Sequence, residues 1–178
     1  MKKVAVVYGT RPEAVKMAPL IRAMAASDLL EPVVISTGQH RSMLDQVNNW
    51  FQITPDMDLN VFKEGQSLTA LASRILDRLP PVLEEAAPDA VVVQGDTSTV
   101  AMAAITCFYM GLPVVHLEAG LRSGNIDSPF PEEANRRLAG QVTRLHLAPT
   151  TAARDNLLRE AFDPADIAVT GNTVIDAL

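Results

Sequence analysis

Val4-Ala5-Val6-Val7-Tyr8-Gly9-Thr10-Arg11-Pro12-Glu13 is the stretch that sets the fold. Val4 to Tyr8 is an unbroken apolar run, the pattern of a strand buried on both faces of a parallel sheet. Gly9 closes the run, and Pro12 stands where the first turn of a helix tolerates proline; that helix is expected to continue to Ala26. After a turn at Glu31-Pro32, Val33 to Thr37 supplies a second strand, which completes a βαβ unit.

The alternation continues outward. His40 to Phe51 predicts a helix. Leu68, Leu71, Ile75 and Leu79 recur at spacings of three and four, so Ser67 to Leu79 presents one apolar stripe, and Pro80-Pro81 is expected to kink or restart that helix. Ala90 to Gln94 reads as a strand, Thr99 to Met110 as a helix and Val114 to Leu117 as a strand. A long loop from Glu118 to Phe130 then leads to a helix beginning near Pro131. Arg144 to Ala148, Thr151 to Glu160 and Ile167 to Thr170 follow as strand, helix and strand. The expected fold is α/β, a Rossmann-like parallel sheet with helices on both faces. Thr173 to Leu178 resembles the first turns of a helix that stops while still apolar, so the natural chain is expected to continue.

At 178 residues and 48% hydrophobic content, one buried core and one domain are expected. A net charge of -6 argues against a nucleic-acid partner, whose phosphates are gripped by lysine and arginine. Cys107 is the only cysteine, which excludes a disulfide framework and points to a reducing cytoplasm and a buried, inert thiol. Lys2-Lys3 and the run after them imitate a signal peptide, but the run is too short. Thr97 to Leu117 approaches the length of a membrane span, yet Gly111-Leu112-Pro113 breaks it and Thr97-Ser98-Thr99 is polar; a buried helix, turn and strand are expected, and no membrane partner.

In an open parallel sheet, ligands bind at the carboxyl ends of the strands. Arg11 and Lys16 at the start of the first helix suit a phosphate, because helix N–H groups and the dipole favour anions. They equally suit a plain helix start with two solvated cations. Neither G-x-G-x-x-G nor G-x-x-x-x-G-K-[ST] occurs, which argues against nicotinamide and P-loop sites. Asp96 stands at the next strand end, as a site carboxylate or as a helix N-cap. Glu118 closes the Val114 to Leu117 strand, either at the mouth of an apolar sheet or as an ordinary loop carboxylate. His116, two residues earlier, either tunes it or fills core space. His40 and His146 have no metal-site spacing, so no metal is expected. Glu132 with Arg136 and Glu133 with Arg137 are i, i+4 pairs that suit surface salt bridges, although a loop as long as the one before them often has a function.

Six ordered motifs run the length of the chain: Gly9-Thr10-Arg11-Pro12-Glu13-Ala14 with Lys16, Gly38-Gln39-His40-Arg41, Gln94-Gly95-Asp96-Thr97, His116-Leu117-Glu118-Ala119-Gly120-Leu121-Arg122, Ser128 to Arg136, and Thr170-Gly171-Asn172-Thr173. Together they resemble the non-hydrolysing bacterial UDP-N-acetylglucosamine 2-epimerases. The resemblance implies a GT-B-like enzyme of two Rossmann-like domains, with residues 1–178 as the amino-terminal one and the UDP-binding carboxy-terminal domain outside this chain. It implies interconversion of UDP-N-acetylglucosamine and UDP-N-acetylmannosamine by elimination and readdition of UDP, in the service of cell-envelope polysaccharide synthesis and without a cofactor. Asp96, Glu118 and Glu132 become the acid/base candidates, and Arg11, Lys16 and Arg136 the groups that bind substrate or organise its charge. A cytoplasmic homodimer is also implied, with these 178 residues inactive alone. The competing readings are a hydrolysing relative that releases N-acetylmannosamine and UDP, and a non-catalytic dimerisation or binding module.

Three positions depart from the family's pattern. Ser42 and Gly65 occupy places where some members carry a glutamine and an arginine of an allosteric substrate site, so weak or absent activation by substrate is expected. Asp127 stands where an aromatic residue is common, which puts the packing of its loop in question.

Overall fold

A computed structural model describes residues 1–178, apart from the side chains of residues 41 and 42. Seven parallel strands form one sheet: β1 (Lys2–Tyr8), β2 (Leu30–Ser36), β3 (Met57–Asp58), β4 (Ala90–Gln94), β5 (Val114–Leu117), β6 (Leu145–Ala148) and β7 (Ile167–Val169). Six α-helices connect them: α1 (Arg11–Ala25), α2 (Arg41–Phe51), α3 (Leu68–Ala86), α4 (Ser98–Tyr109), α5 (Glu132–Val142) and α6 (Thr151–Arg159). The strand order is β3-β2-β1-β4-β5-β6-β7, the Rossmann-like α/β arrangement that the chain's alternation predicts. The order reverses between β1 and β4, and the carboxyl ends of these two strands open the crevice where such sheets bind ligands.

Successive residues of β1 serve opposite faces. Val4, Val6 and Tyr8 pack with Ala14, Met17 and Ile21 of α1, while Ala5 and Val7 pack with Leu71, Ile75 and Leu79 of α3 and with Val100 and Ala104 of α4. The central strand is therefore apolar throughout, and its functional residues lie beyond its end. Cys107 is buried in the second of these layers, and burial pushes its thiol up to about 12.

Two local expectations change. The helix through Pro80-Pro81 runs unbroken from Leu68 to Ala86. Its buried stripe continues as Ile75, Leu79, Leu83 and Ala86, while Leu76 and Asp77, whose carbonyls lose the proline N–H partners, are exposed to water. Thr173 to Ala177 forms consecutive turns closed by i to i+3 hydrogen bonds rather than an α-helix. The two-residue β3 is too short to leave a periodic signal in the sequence. No helix is long and apolar enough to cross a membrane among the described residues.

Candidate active site

Lys16, Asp96, Glu118, Glu132 and Arg136 line one cleft of about 570 Å3 at the carboxyl edge of the sheet. They arrive from four parts of the chain. Lys16 lies in the second turn of α1, Asp96 between β4 and α4, Glu118 directly after β5, and Glu132 and Arg136 in α5. Arg11 does not line the cleft. It is exposed in the neighbouring groove between α1 and α2, one residue from Pro12, which does line it.

The head of α1 is closed by its own side chain. Glu13 is wholly buried and accepts the N–H groups of Gly9 and Thr10, both at 2.8 Å, and the Thr97 hydroxyl at 2.6 Å. Burial pushes its carboxyl above the ordinary value, and these donors oppose that push. The Gly9 and Thr10 amides are therefore closed to a phosphate, because an internal carboxylate already accepts them. Gly9 serves packing. A Cβ there would lie 1.9 Å from Thr37 Oγ1, the hydroxyl that meets Thr99 Oγ1 at 2.9 Å; Thr99 in turn donates to Gln39.

Three neighbours hold the turn after β4. The His116 ring donates Nε2–H to the Gly95 carbonyl at 2.7 Å, Asn135 donates to the Asp96 carbonyl at 2.9 Å, and Thr97 donates to Glu13. Asp96 is not the N-cap of α4: the Thr97 hydroxyl performs that task by accepting the Val100 N–H. The Asp96 carboxylate instead meets the Arg136 guanidinium at 2.6 Å. His116 thus packs and positions, and burial holds its pKa below the ordinary histidine value.

Glu118 adopts φ 64°, a left-handed backbone that costs a non-glycine residue about 1 kcal/mol. Its carboxylate is met by Lys16 Nζ at 2.6 Å, by the Gln94 amide and by the Asn172 amide at 3.1 Å. Gln94 and Asn172 are functional neighbours that sequence reasoning missed as individuals. The available signals are a polar residue ending an apolar strand and the Gly171-Asn172 turn.

Glu132 lines the cleft with no hydrogen-bond or ion-pair partner among the described residues. Its expected pairing with Arg136 is corrected: Arg136 joins Asp96 and, at 3.2 Å, the fully buried Glu133. Glu133 with Arg137 pairs as its spacing predicts, at 3.1 Å, with the carboxylate buried and the guanidinium reaching the surface. Burial raises the Glu133 carboxyl, yet the Ser123 N–H and the guanidiniums of Arg137 and Arg136 outweigh it and hold the group below its ordinary value. Arg122 grips Glu160 through two 2.8 Å bonds and so ties the long loop to the end of α6.

The loop segment that holds Asp127 is exposed and forms a tight turn, with Asn125 accepting the N–H groups of Asp127 and Ser128. His40 is exposed beside the cleft, and Gly65 borders an adjoining pocket of about 270 Å3; the Ser42 side chain lies outside the described residues. Among the described residues, no three His, Cys, Asp or Glu side chains are grouped to hold a metal ion.

The UDP-N-acetylglucosamine 2-epimerase family model matches residues 22–178. A UDP-N-acetylglucosamine 2-epimerase of Yersinia pestis is 55% identical over 176 residues, which are 99% of this chain and 47% of that protein. The crystal structure of the Neisseria meningitidis UDP-GlcNAc 2-epimerase bound to UDP-GlcNAc is 49% identical, with a TM-score of 0.93 over 98% of this chain and 48% of that one. The S. aureus MnaA–UDP structure is 47% identical, with a TM-score of 0.96 over 99% of this chain and 47% of that one. The chain spans about half the length of the curated relatives it matches. It belongs to the UDP-N-acetylglucosamine 2-epimerase family.

Proposed function

We propose that this chain supplies the proton-transfer half of an enzyme that interconverts UDP-N-acetylglucosamine and UDP-N-acetylmannosamine. The observation that carries this reading is the convergence of Asp96, Glu118 and Glu132, from three separate elements, on one cleft. The hydrogen on carbon 2 of the sugar has no neighbouring carbonyl, so its direct removal would leave a poorly stabilised anion. Elimination avoids this. The anomeric carbon–oxygen bond breaks, UDP leaves with the electron pair, a carboxylate takes the carbon 2 proton, and a double bond forms between carbons 1 and 2. Return of a proton to the other face of carbon 2, with UDP oxygen bonding again to carbon 1, inverts that centre.

This route needs carboxyl groups near both faces of the ring and cations for the leaving pyrophosphate, and it uses no redox cofactor. Asp96 and Glu118 each carry a cationic partner, whereas Glu132 faces the cleft unpaired among the described residues. Arg136 and Lys16 order the carboxylates. Arg11, exposed in the neighbouring groove one residue from the cleft wall, adds positive charge for the pyrophosphate. Uridine is gripped by a second domain beyond these residues, and the working form is a cytoplasmic homodimer.

The test joins this chain to the carboxy-terminal half of the Yersinia pestis relative and incubates the chimaera with UDP-N-acetylglucosamine in heavy water. Both epimers should appear with deuterium at carbon 2, while the 178 residues alone should give negligible exchange. Unlabelled product would overturn the elimination route, and free N-acetylmannosamine with UDP as the only products would make the enzyme hydrolysing.

A further inference from the structure

The amino-terminal turn of α4 borders the cleft beside Asp96, and the chain does not close it. The first N–H groups of a helix have no acceptor within it. Just ahead of α1, by contrast, Glu13 takes the N–H groups of Gly9 and Thr10. In α4 the Thr97 hydroxyl takes only the Val100 N–H, and those of Ser98 and Thr99 have no acceptor among the described residues. Ser98 is an independent observation. It lines the cleft, is only 8% exposed, and its hydroxyl has no partner among the described residues. The Ser98 oxygen opens onto the cleft rather than being sealed in the core, so a ligand acceptor seated there can accept its hydrogen bond.

We propose that the hydroxyl and N–H of Ser98, at the head of α4, form the subsite for the acetamido carbonyl of the sugar, an inference that rests on the proposed function. Charge selects this ligand. The helix dipole favours an acceptor, but the cleft carries Glu13, Asp96, Glu118 and Glu132 against only Lys16 and Arg136, and both cations are already paired. A phosphate would meet that excess of carboxylates. An amide carbonyl has a partial negative charge, no net charge and no proton to donate. A sugar hydroxyl, being also a donor, would turn to the carboxylates instead. The acetamido group is attached to carbon 2, so its capture at α4 holds the reacting carbon beside Asp96. Ser98 thereby becomes a specificity-determining residue that separates N-acetylated from plain hexose nucleotides.

The test uses the chimaera, 15N-labelled in its first 178 residues, titrated with UDP-N-acetylglucosamine and separately with UDP-glucose. The amide resonances of Ser98 and Thr99 should move with the first sugar nucleotide and at least about threefold less with the second. Ser98→Ala should weaken the first titration about threefold to tenfold, and Ser98→Thr, which keeps the hydroxyl, should recover most of it. Movement at Lys16, Glu118 and Arg136 with Ser98 and Thr99 unmoved, or equal movement with both nucleotides, overturns the subsite and leaves the proposed function standing. No movement of any cleft resonance with either nucleotide counts against both.

Discussion

Lys16 Nζ lies 2.6 Å from Glu118 Oε2, across 102 residues of sequence. The pair joins the first turns of α1 to the end of β5 and leaves the Glu118 side chain only 13% exposed. In the chimaera, Glu118→Gln should lower turnover by about 10²–10⁴, the range expected for loss of a positioned acid or base. Lys16→Met should lower it by at least about tenfold, because Glu118 then keeps only the Gln94 and Asn172 amides. Steady-state turnover checks both. Near-normal rates in Asp96→Asn, Glu118→Gln and Glu132→Gln alike would remove all three carboxylates from the chemistry.

Gly9 and Gly65 should respond differently to alanine. At Gly9 the new Cβ meets Thr37 and Thr99 inside hydrogen-bond distance, so the variant should lose about 1–3 kcal/mol to overpacking. At Gly65 nothing lies within 4 Å, and only the left-handed backbone, φ 66°, opposes a side chain, at about 1 kcal/mol. Urea unfolding of the two variants measures the difference, and equal losses would contradict the packing role of Gly9.

His146 is buried against the Phe162 ring, at 4.7 Å between centroids, and burial holds its pKa down at about 4, from 6.5. The unfolded chain therefore binds a proton at a pH where the folded chain does not. Stability should fall as pH drops from 6.5 toward 4, by about 1–2 kcal/mol at pH 5 relative to pH 7. His116 is displaced in the same direction, whereas Glu13, displaced upward, opposes it. The contribution of His146 is isolated by comparing urea midpoints of the wild type and His146→Phe at both pH values: the substitution should flatten the slope.

Gly65 offers no side chain to the pocket it shares with His40. The chimaera should accordingly show a hyperbolic dependence of rate on UDP-N-acetylglucosamine; a sigmoidal curve would show that activation by substrate survives without the missing arginine.

Much of the fold is legible in the sequence. The buried runs Val4 to Tyr8 and Ala90 to Gln94, and the stripe Leu71, Ile75, Leu79, are local patterns with the periods of strand and helix, and they fall where β1, β4 and α3 lie. Pro80-Pro81 misled because proline's local cost was set against packing that continues beyond it to Leu83 and Ala86. In the site, position along the chain was legible and partnership was not. Glu132 and Arg136 have pairing distance in sequence, yet Arg136 turns to Asp96 and Glu133.

The sequence by itself determined the alternation of strands and helices, the strand-end positions of Asp96 and Glu118, and the family. These rest on local periodicity and on ordered motifs, which survive in one dimension. Only the tertiary structure decided that Glu13 occupies the amides just ahead of α1, that Thr97 rather than Asp96 caps α4, and that Lys16 meets Glu118. Those partners are chosen by the strand order, which sets the carboxyl ends of β1, β4 and β5 side by side; no spacing within a single element contains that order.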